Sequence, residues 1–486
     1  MSLLGLPVQR PASWGAKMSE DRRKGCFKLT CFGCVAMPFL AIMVTYGTLK
    51  CQVSKIGRQL PQELASLRSL HVPVEPAELV PDPPIPPGEN AAELLNSLIE
   101  ELKKAKEQPF YKEGNKAVGD LSANHLWPED DPVVVAMVEQ LKPFLQKTDQ
   151  IQDKSRLDFS RDWSKGAALL FPELAYLKEI AKLQSYRSRI AAKVGDHQTS
   201  LQALRTTFAL YRLCAEEPTI IAALVAIAIH SIGYSALEFH LEHFSNNEGA
   251  LEETLKMLEA IPESIDLRRP LYGEVVMTRQ WFRSLADSAT IGAEAGYLSD
   301  SETALSIAMR DPQVREMFEV RYLQLWVKAF HAMPTDSRNW REVQKAGTVI
   351  DRELEKTLTA DTYLNQMLFP VLGQYPQAAG AMQARQRLAI LGTRLLLDRP
   401  KGLPSQLTRY GRAAFDPLDG LPMRYIRKGN GFKIWSIGKD LVDDGGKKYW
   451  RNARMSSQET DEVLMFDYPE LPPKTTAIVG PANNSE

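Results

Sequence analysis

None of the motifs that announce common catalytic chemistry occurs in this 486-residue chain: it has no H-E-x-x-H, no G-x-S-x-G and no Walker loop. Motif-borne zinc hydrolysis, serine acyl transfer and nucleotide hydrolysis are therefore excluded as direct readings. An excess of one charge is missing too, with Lys+Arg 59 against Asp+Glu 60 and a formal net charge of -1. No overall basic field exists to gather nucleic acid, and no nucleic-acid partner is expected. Cysteine is scarce. Of five, Cys26, Cys31, Cys34 and Cys51 sit in or beside the first apolar segment, and only Cys214 lies deep in the chain, so disulfides are not its framework. Cys31 and Cys34 have C-x-x-C spacing, but inside a bilayer-length run thiols behave as small apolar residues.

At 44% hydrophobic and 24% charged residues, the chain is rich enough to bury a full core and long enough for two globular units. Residues 29–49 contain no charge and span roughly 30 Å as a helix at about 1.5 Å per residue, which matches a hydrocarbon core. Arg22, Arg23, Lys24 and Lys28 precede this run and favour a cytoplasmic segment 1–28, although Lys50, Lys55 and Arg58 on the far side reduce the asymmetry. The run is longer than the apolar region of a cleaved signal, and no small-x-small site follows it. Neither Cys34 nor Cys51 fits a lipoprotein acylation site, and Arg22-Arg23 lacks the rest of a twin-arginine signal. The expectation is a signal anchor with the bulk of the chain periplasmic.

Residues 50–89 read as stalk and linker. The stretch 71–88 holds Pro73, Pro76, Pro81, Pro83, Pro84, Pro86 and Pro87, a density that favours extended polyproline-type chain and a stiff spacer. Residues 90–400 then follow helical periodicity. Asn90 is an expected N-cap for 91–106, Asp131-Pro132 opens another helix, and Gly195-Asp196 separates two helices that should pack antiparallel. Further helices are expected near 251–260, 272–288, 314–333, 338–358, 362–372 and 377–397, with no fixed repeat period. The stretch 218–244 is apolar enough to suggest a second span. His230, Ser231, Ser235 and the run Ala222, Ala223, Ala226, Ala228 favour a buried central helix instead.

After Pro400 the pattern changes. Residues 423–427 and 432–437 read as two strands around the turn Gly429-Asn430-Gly431, and 462–466 as a third, within a tail 401–470 followed by a polar terminus 471–486. The fold class is thus mainly α, with one N-terminal transmembrane helix, an irregular multi-helix array and a small C-terminal three-strand unit. Gly402-Leu403-Pro404, Asp416-Pro417-Leu418-Asp419-Gly420, Arg424-Tyr425, Trp435-Ser436-Ile437-Gly438 and Asp443-Asp444-Gly445-Gly446 together carry a resemblance. This segment resembles the C-terminal part of major type II secretion pseudopilins. With Pro86-Pro87-Gly88-Glu89-Asn90-Ala91-Ala92 it also resembles a group of uncharacterised bacterial membrane-anchored helical proteins, over most of the chain. Unlike pseudopilins, which carry a glutamate five residues after the processing-site glycine, the chain has Thr30 after Gly25, so the anchor reads as a permanent tether. The pseudopilin resemblance implies calcium in the acidic loop, with Asp440, Asp443, Asp444 and Asp461 as the carboxylates, and Gly445 and Gly446 would let the chain fold back around an ion that takes six to eight oxygens.

His230, Glu238, His240, Glu242 and His243 cluster on one expected helix, yet the zinc-hydrolase spacing is absent, and surface or capping histidines account for them. Two functional classes remain. One is a membrane-tethered envelope scaffold with protein partners. The other is an extracytoplasmic enzyme whose pocket lies between helices; the resemblance adds a further alternative, a pseudopilin-related secretion component.

Overall fold

A computed structural model gives the structure of residues 44, 46–123, 128–263, 266–284, 310–334, 340, 343, 345, 352, 374–447 and 461–466. The anchor 29–49, apart from its last turn, lies outside the described residues, as do the segment 1–28, most of the helices expected at 338–358 and 362–372, and the terminus 471–486.

The helices form where capping and periodicity agree. In order they are α1 (46–57), α2 (Leu60–Ser69), α3 (Ala92–Glu107), α4 (Pro109–Ala123), α5 (Pro132–Gln140), α6 (Lys142–Thr148), α7 (Pro172–Lys193) and α8 (His197–Cys214). After them come α9 (Ile220–His243), α10 (Glu248–Ala260), α11 (Arg269–Ser284), α12 (Pro312–Ala332) and α13 (Gln374–Asp398). Asp131 caps α5 by accepting from Val133 N at 2.8 Å and Val134 N at 3.1 Å, and Asp196 caps α8 through Thr199 N at 3.0 Å. Gly195 takes a φ of +80°, the left-handed turn that ends α7 and sends α8 back along it. Asn90 works differently from the expected cap. Its side chain accepts from Ala92 N and Asp158 N, both near 3 Å, so it pins the start of α3 to the extended segment around residue 156.

One helix among the described residues, α9, is long and apolar enough to cross a membrane. It lies instead in the middle of the helical body. Ile220 and Ala223 belong to the core shared by α2, α11 and α12; Ala222, Ala226 and Ile229 to the core of α3 through α8; Tyr234, Ala236, Leu237 and Leu241 to the core beneath α10, α13 and the sheet. A helix that serves three cores is apolar on every side, which explains its lack of amphipathic patterning.

The proline-rich segment, expected from its composition as a stiff spacer, is packed against the body. Val72 and Val74 are buried in the α2–α11–α12 core, and Glu75 pairs with Arg283 at 2.8 Å and Arg279 at 2.9 Å. Bonds from Arg283, with Arg279 behind them, hold the Glu75 carboxyl down at about 2. Two buried valines at about 1.5–3 kcal/mol each, together with this ion pairing, outweigh the extended-chain preference of the prolines. The segment is a strap across the body. The chain before it is equally engaged: Gln324 on α12 donates to Gln59 at 3.2 Å and to Glu63 at 3.1 Å, and Lys50 pairs with Asp311 at 3.2 Å.

At the C-terminal end, β1 (Arg424–Lys428), β2 (Gly431–Ser436) and β3 (Glu462–Phe466) form an antiparallel sheet with β2 in the centre. The hairpin is the one expected. Its sheet shares a core with α13, where Leu388, Leu391 and Leu395 meet Phe432, Ile434 and Leu464. Gly392 lies directly beneath the end of the Leu464 side chain, where an added Cβ would make that side chain shift. Arg385 of α13 reaches Glu462 with two bonds of 2.7 Å and Ser231 of α9 with a third of the same length, joining the β tail to the helical core.

Candidate functional site

The acidic loop offers fewer free ligands than its sequence suggested. Asp440 accepts from Val442 N at 3.3 Å within its own turn, while Asp443 Oδ1 accepts from Trp435 Nε1 at 2.9 Å and Gly445 N at 3.0 Å, and its Oδ2 from Arg424 at 3.2 Å. Asp461 Oδ2 accepts from Gly446 N at 2.8 Å. Asp444 Oδ2 and Asp461 Oδ1 are buried without a hydrogen-bond partner. Burial, with Asp443 and Asp444 close by, raises Asp461 to about 6. Calcium takes six to eight oxygens. Among the described residues no group of three His, Cys, Asp or Glu side chains is disposed to hold a metal. The set as it stands does not fit the ion, and no function is derived through it.

The three histidines of α9 are a finding against expectation, because His230 and His240 are core residues and only the third, His243, is exposed. His240 Nδ1 bonds Ser200 Oγ at 2.8 Å, Ser200 bonds Ser188 at 3.0 Å, and His240 Nε2 bonds Thr254 at 3.1 Å. This is a serine–histidine contact. All four side chains are fully buried and border neither of the cavities described next, so no substrate reaches them and their role is to fasten α7, α8, α9 and α10 together.

Among the described residues, two adjoining cavities share Arg156, Glu216 and Arg269 in their walls. The larger, of about 550 Å³, lies between the end of α8, the first turns of α9, the α10–α11 connection and α13. Its floor is apolar, built from Ala223, Ala226, Ile227 and Met382, and the Tyr211 and Tyr375 rings close the sides. The smaller, of about 250 Å³, runs under the strap beside Trp163, Glu217 and Tyr272.

The shared wall is assembled from three distant stretches of chain. Residue 156 is held extended by pairing with 89–91, and Glu216 Oε2 accepts from Arg156 Nε at 2.9 Å and Leu157 N at 3.3 Å. Arg269 Nε donates to the Glu216 carbonyl at 2.7 Å, and Asp266 Oδ1 accepts from Arg268 N and Arg269 N, fixing where α11 begins. Arg212 is spent on structure, donating to the carbonyls of Lys154 and Ser155. Gly273 lets α11 come close: its N donates to Pro218 O at 2.7 Å, and a Cβ there would meet that oxygen at 2.4 Å. Below the wall, burial pushes the Glu217 carboxyl up against the opposing pull of Arg161, whose Nε donates to it at 2.7 Å.

The described lining residues include no serine, threonine, cysteine or histidine, so the cavities pair no nucleophile with a base. No sequence motif marked them, because Arg156, Glu216 and Arg269 share no periodicity and meet only through the fold. In comparison with known proteins, no family model matches the chain, and no curated protein or solved structure is similar to it.

Proposed function

We propose that the chain is a single-pass bacterial envelope protein, held by its N-terminal helix with the helical body outside the cytoplasm, where it serves as a rigid scaffold for envelope protein partners. The observation that carries this reading is an abrupt change from residue 44 into α1. Val44, Tyr46 and Leu49 are 58%, 59% and 58% exposed, whereas Val53 is buried and Lys50 pairs with Asp311. Large apolar side chains left bare at the end of an uncharged 29–49 run suit lipid, and the switch to burial suits the membrane surface. The segment resembling pseudopilin tails serves here as a folding cap on α13, in keeping with the core that the two share. The Ser–His contact supports no catalytic alternative, since it is sealed.

The topology is tested in intact spheroplasts with the native cysteines replaced by serine. A membrane-impermeant maleimide is expected to label Leu170→Cys, on an exposed site of the body, and to leave Ser19→Cys unlabelled until lysis. The reverse pattern would sink the reading. For the scaffold role, cross-linking of intact cells should give a discrete adduct that disappears when residues 1–49 are deleted.

A further inference from the structure

We infer that the cavity between α8, α9, α11 and α13 is a binding site for a small amphipathic anion, an organic carboxylate or phosphate monoester carrying a compact apolar body. The inference goes beyond the scaffold role and does not depend on it.

Two guanidinium groups stand at the anionic end. Arg156 and Arg269 are each bonded to Glu216 through Nε alone, one to its carboxylate and one to its carbonyl. Held in this way, each keeps its two terminal nitrogens without a protein partner among the described residues, and a guanidinium presents such a pair of donors in the geometry that carboxylate and phosphate oxygens accept. The acidic groups nearby do not fill this role. Glu216 Oε2 is taken by Arg156 and Leu157 N, and Asp266 Oδ1 by two main-chain N–H groups. The larger cavity alone has three cationic side chains, Arg156, Arg212 and Arg269, and two acidic ones in its lining, while Glu78, Asp158 and Glu217 line the smaller cavity on the other side of the shared wall; the case for an anion rests on the open guanidinium donors and not on a net charge.

The other end of the cavity selects for apolar matter. Ala223, Ala226, Ile227 and Met382 offer no hydrogen bond, and the small alanines of α9 are what leave room for a guest. A volume of about 550 Å³ lies within the range of small-molecule sites, roughly 300–1,000 Å³. Tyr375 donates to the Asp266 carbonyl at 3.2 Å, so its ring is held in place as a side wall. Polar donors at one end and an apolar chamber at the other match a ligand with a charged head and a ring or short chain behind it.

Three water-soluble probes with one tail and different heads decide the matter: 4-phenylbutyrate, 4-phenylbutanol and 4-phenylbutylamine. Binding is measured by isothermal titration to the full chain in phosphatidylcholine nanodiscs, with empty nanodiscs subtracted. The butyrate is expected to bind at least tenfold more tightly than the alcohol, with no saturable heat from the amine. The double variant Arg156→Gln/Arg269→Gln should weaken the butyrate at least tenfold and leave the alcohol within twofold. Equal binding of all three probes, no binding of the butyrate, or a double variant that folds and binds like the parent would each overturn the proposal. Should that variant fail to fold, Ile227→Trp provides the second route: an indole in the chamber should abolish butyrate binding, and unchanged affinity overturns the site. Adding phosphatidylglycerol to the discs separates two sources of the same chemistry. Competition with the butyrate supports a lipid headgroup as the natural ligand, and its absence supports a soluble anion.

Discussion

Replacing Arg189 by Met is expected to destabilise the protein by about 3–5 kcal/mol, the cost typical of leaving one member of a buried ion pair without its partner. Arg189 holds Glu129 with two bonds, Nε to Oε2 at 2.8 Å and Nη2 to Oε1 at 2.6 Å, and both side chains are buried. Its remaining reach is also used, since Nη1 donates to the Ser235 carbonyl at 3.2 Å and the guanidinium lies 4.3 Å from the centre of the Phe239 ring. One side chain therefore ties the turn at 128–130 to α7 and α9. Glu129 stranded in that environment must either ionise without a partner or take up a proton. The double variant Arg189→Met/Glu129→Gln should recover most of the loss, because it removes the stranded charge along with the attraction. Chemical unfolding of the full chain, followed by circular dichroism, gives both numbers. A single variant within 1 kcal/mol of the parent would mean that the pair does not hold this junction.

The second large effect is expected on acidification. Burial lowers His230 and His240 to about 3, with Arg385 adding to the effect at His230 and the neighbouring His197 and His243 at His240. Both rings are neutral in the folded protein. The unfolded chain takes up protons as pH falls below about 6.5 while the folded chain does not, so each histidine contributes stability at neutral pH that is lost progressively between about 6.5 and 3. At pH 5 the loss amounts to at most about 2 kcal/mol per ring, from 1.4 kcal/mol per pH unit. The carboxyls of Asp461, Glu217 and Glu274 are raised by burial and titrate in the opposite sense, gaining stability as pH falls, so total stability is a poor readout. A difference between variants isolates the histidine. His230 Nδ1 has no hydrogen-bond partner and its ring packs edge-on against Phe208 and Tyr211, so His230→Phe keeps an aromatic ring among aromatic neighbours. From pH 7 to pH 5 this variant should gain about 2 kcal/mol relative to the parent. Parallel curves would show that His230 does not carry the acid lability.

Local features were legible in the sequence because local physics decides them. Asp131 before Pro132, the Gly195-Asp196 boundary and the hairpin around Gly429 each depend on a few neighbouring residues, and each stands where it was expected. The burial of α9 was also readable, since three polar residues and four small ones argued against lipid. The strap was not. Seven prolines signal extended chain whether or not that chain is packed, and nothing local reveals that Val72 and Val74 will find a core or that Glu75 will meet arginines about two hundred positions away. His240 was misread for the same reason: its partners Ser200 and Thr254 lie on other helices. The cavity depended on long-range assembly throughout. Arg156, Glu216 and Arg269 are ordinary surface-type residues in sequence, and only the meeting of an extended segment with the ends of two helices gives them a common purpose.

The engagement of α1, α2 and the strap also sets how far the molecule can reach. A free polyproline spacer over residues 71–88 would carry the body about 55 Å from the bilayer, at roughly 3.1 Å per residue. Instead, Lys50 already touches Asp311 one residue beyond the 29–49 run, and α2 lies along α12. On the proposed topology, with the 29–49 run in lipid, these contacts would hold the body close to the membrane surface, and its encounters would be with what diffuses in the same thin layer. Lengthening the polypeptide between anchor and body, a harmless change for a flexible tether, would here alter which neighbours it can meet.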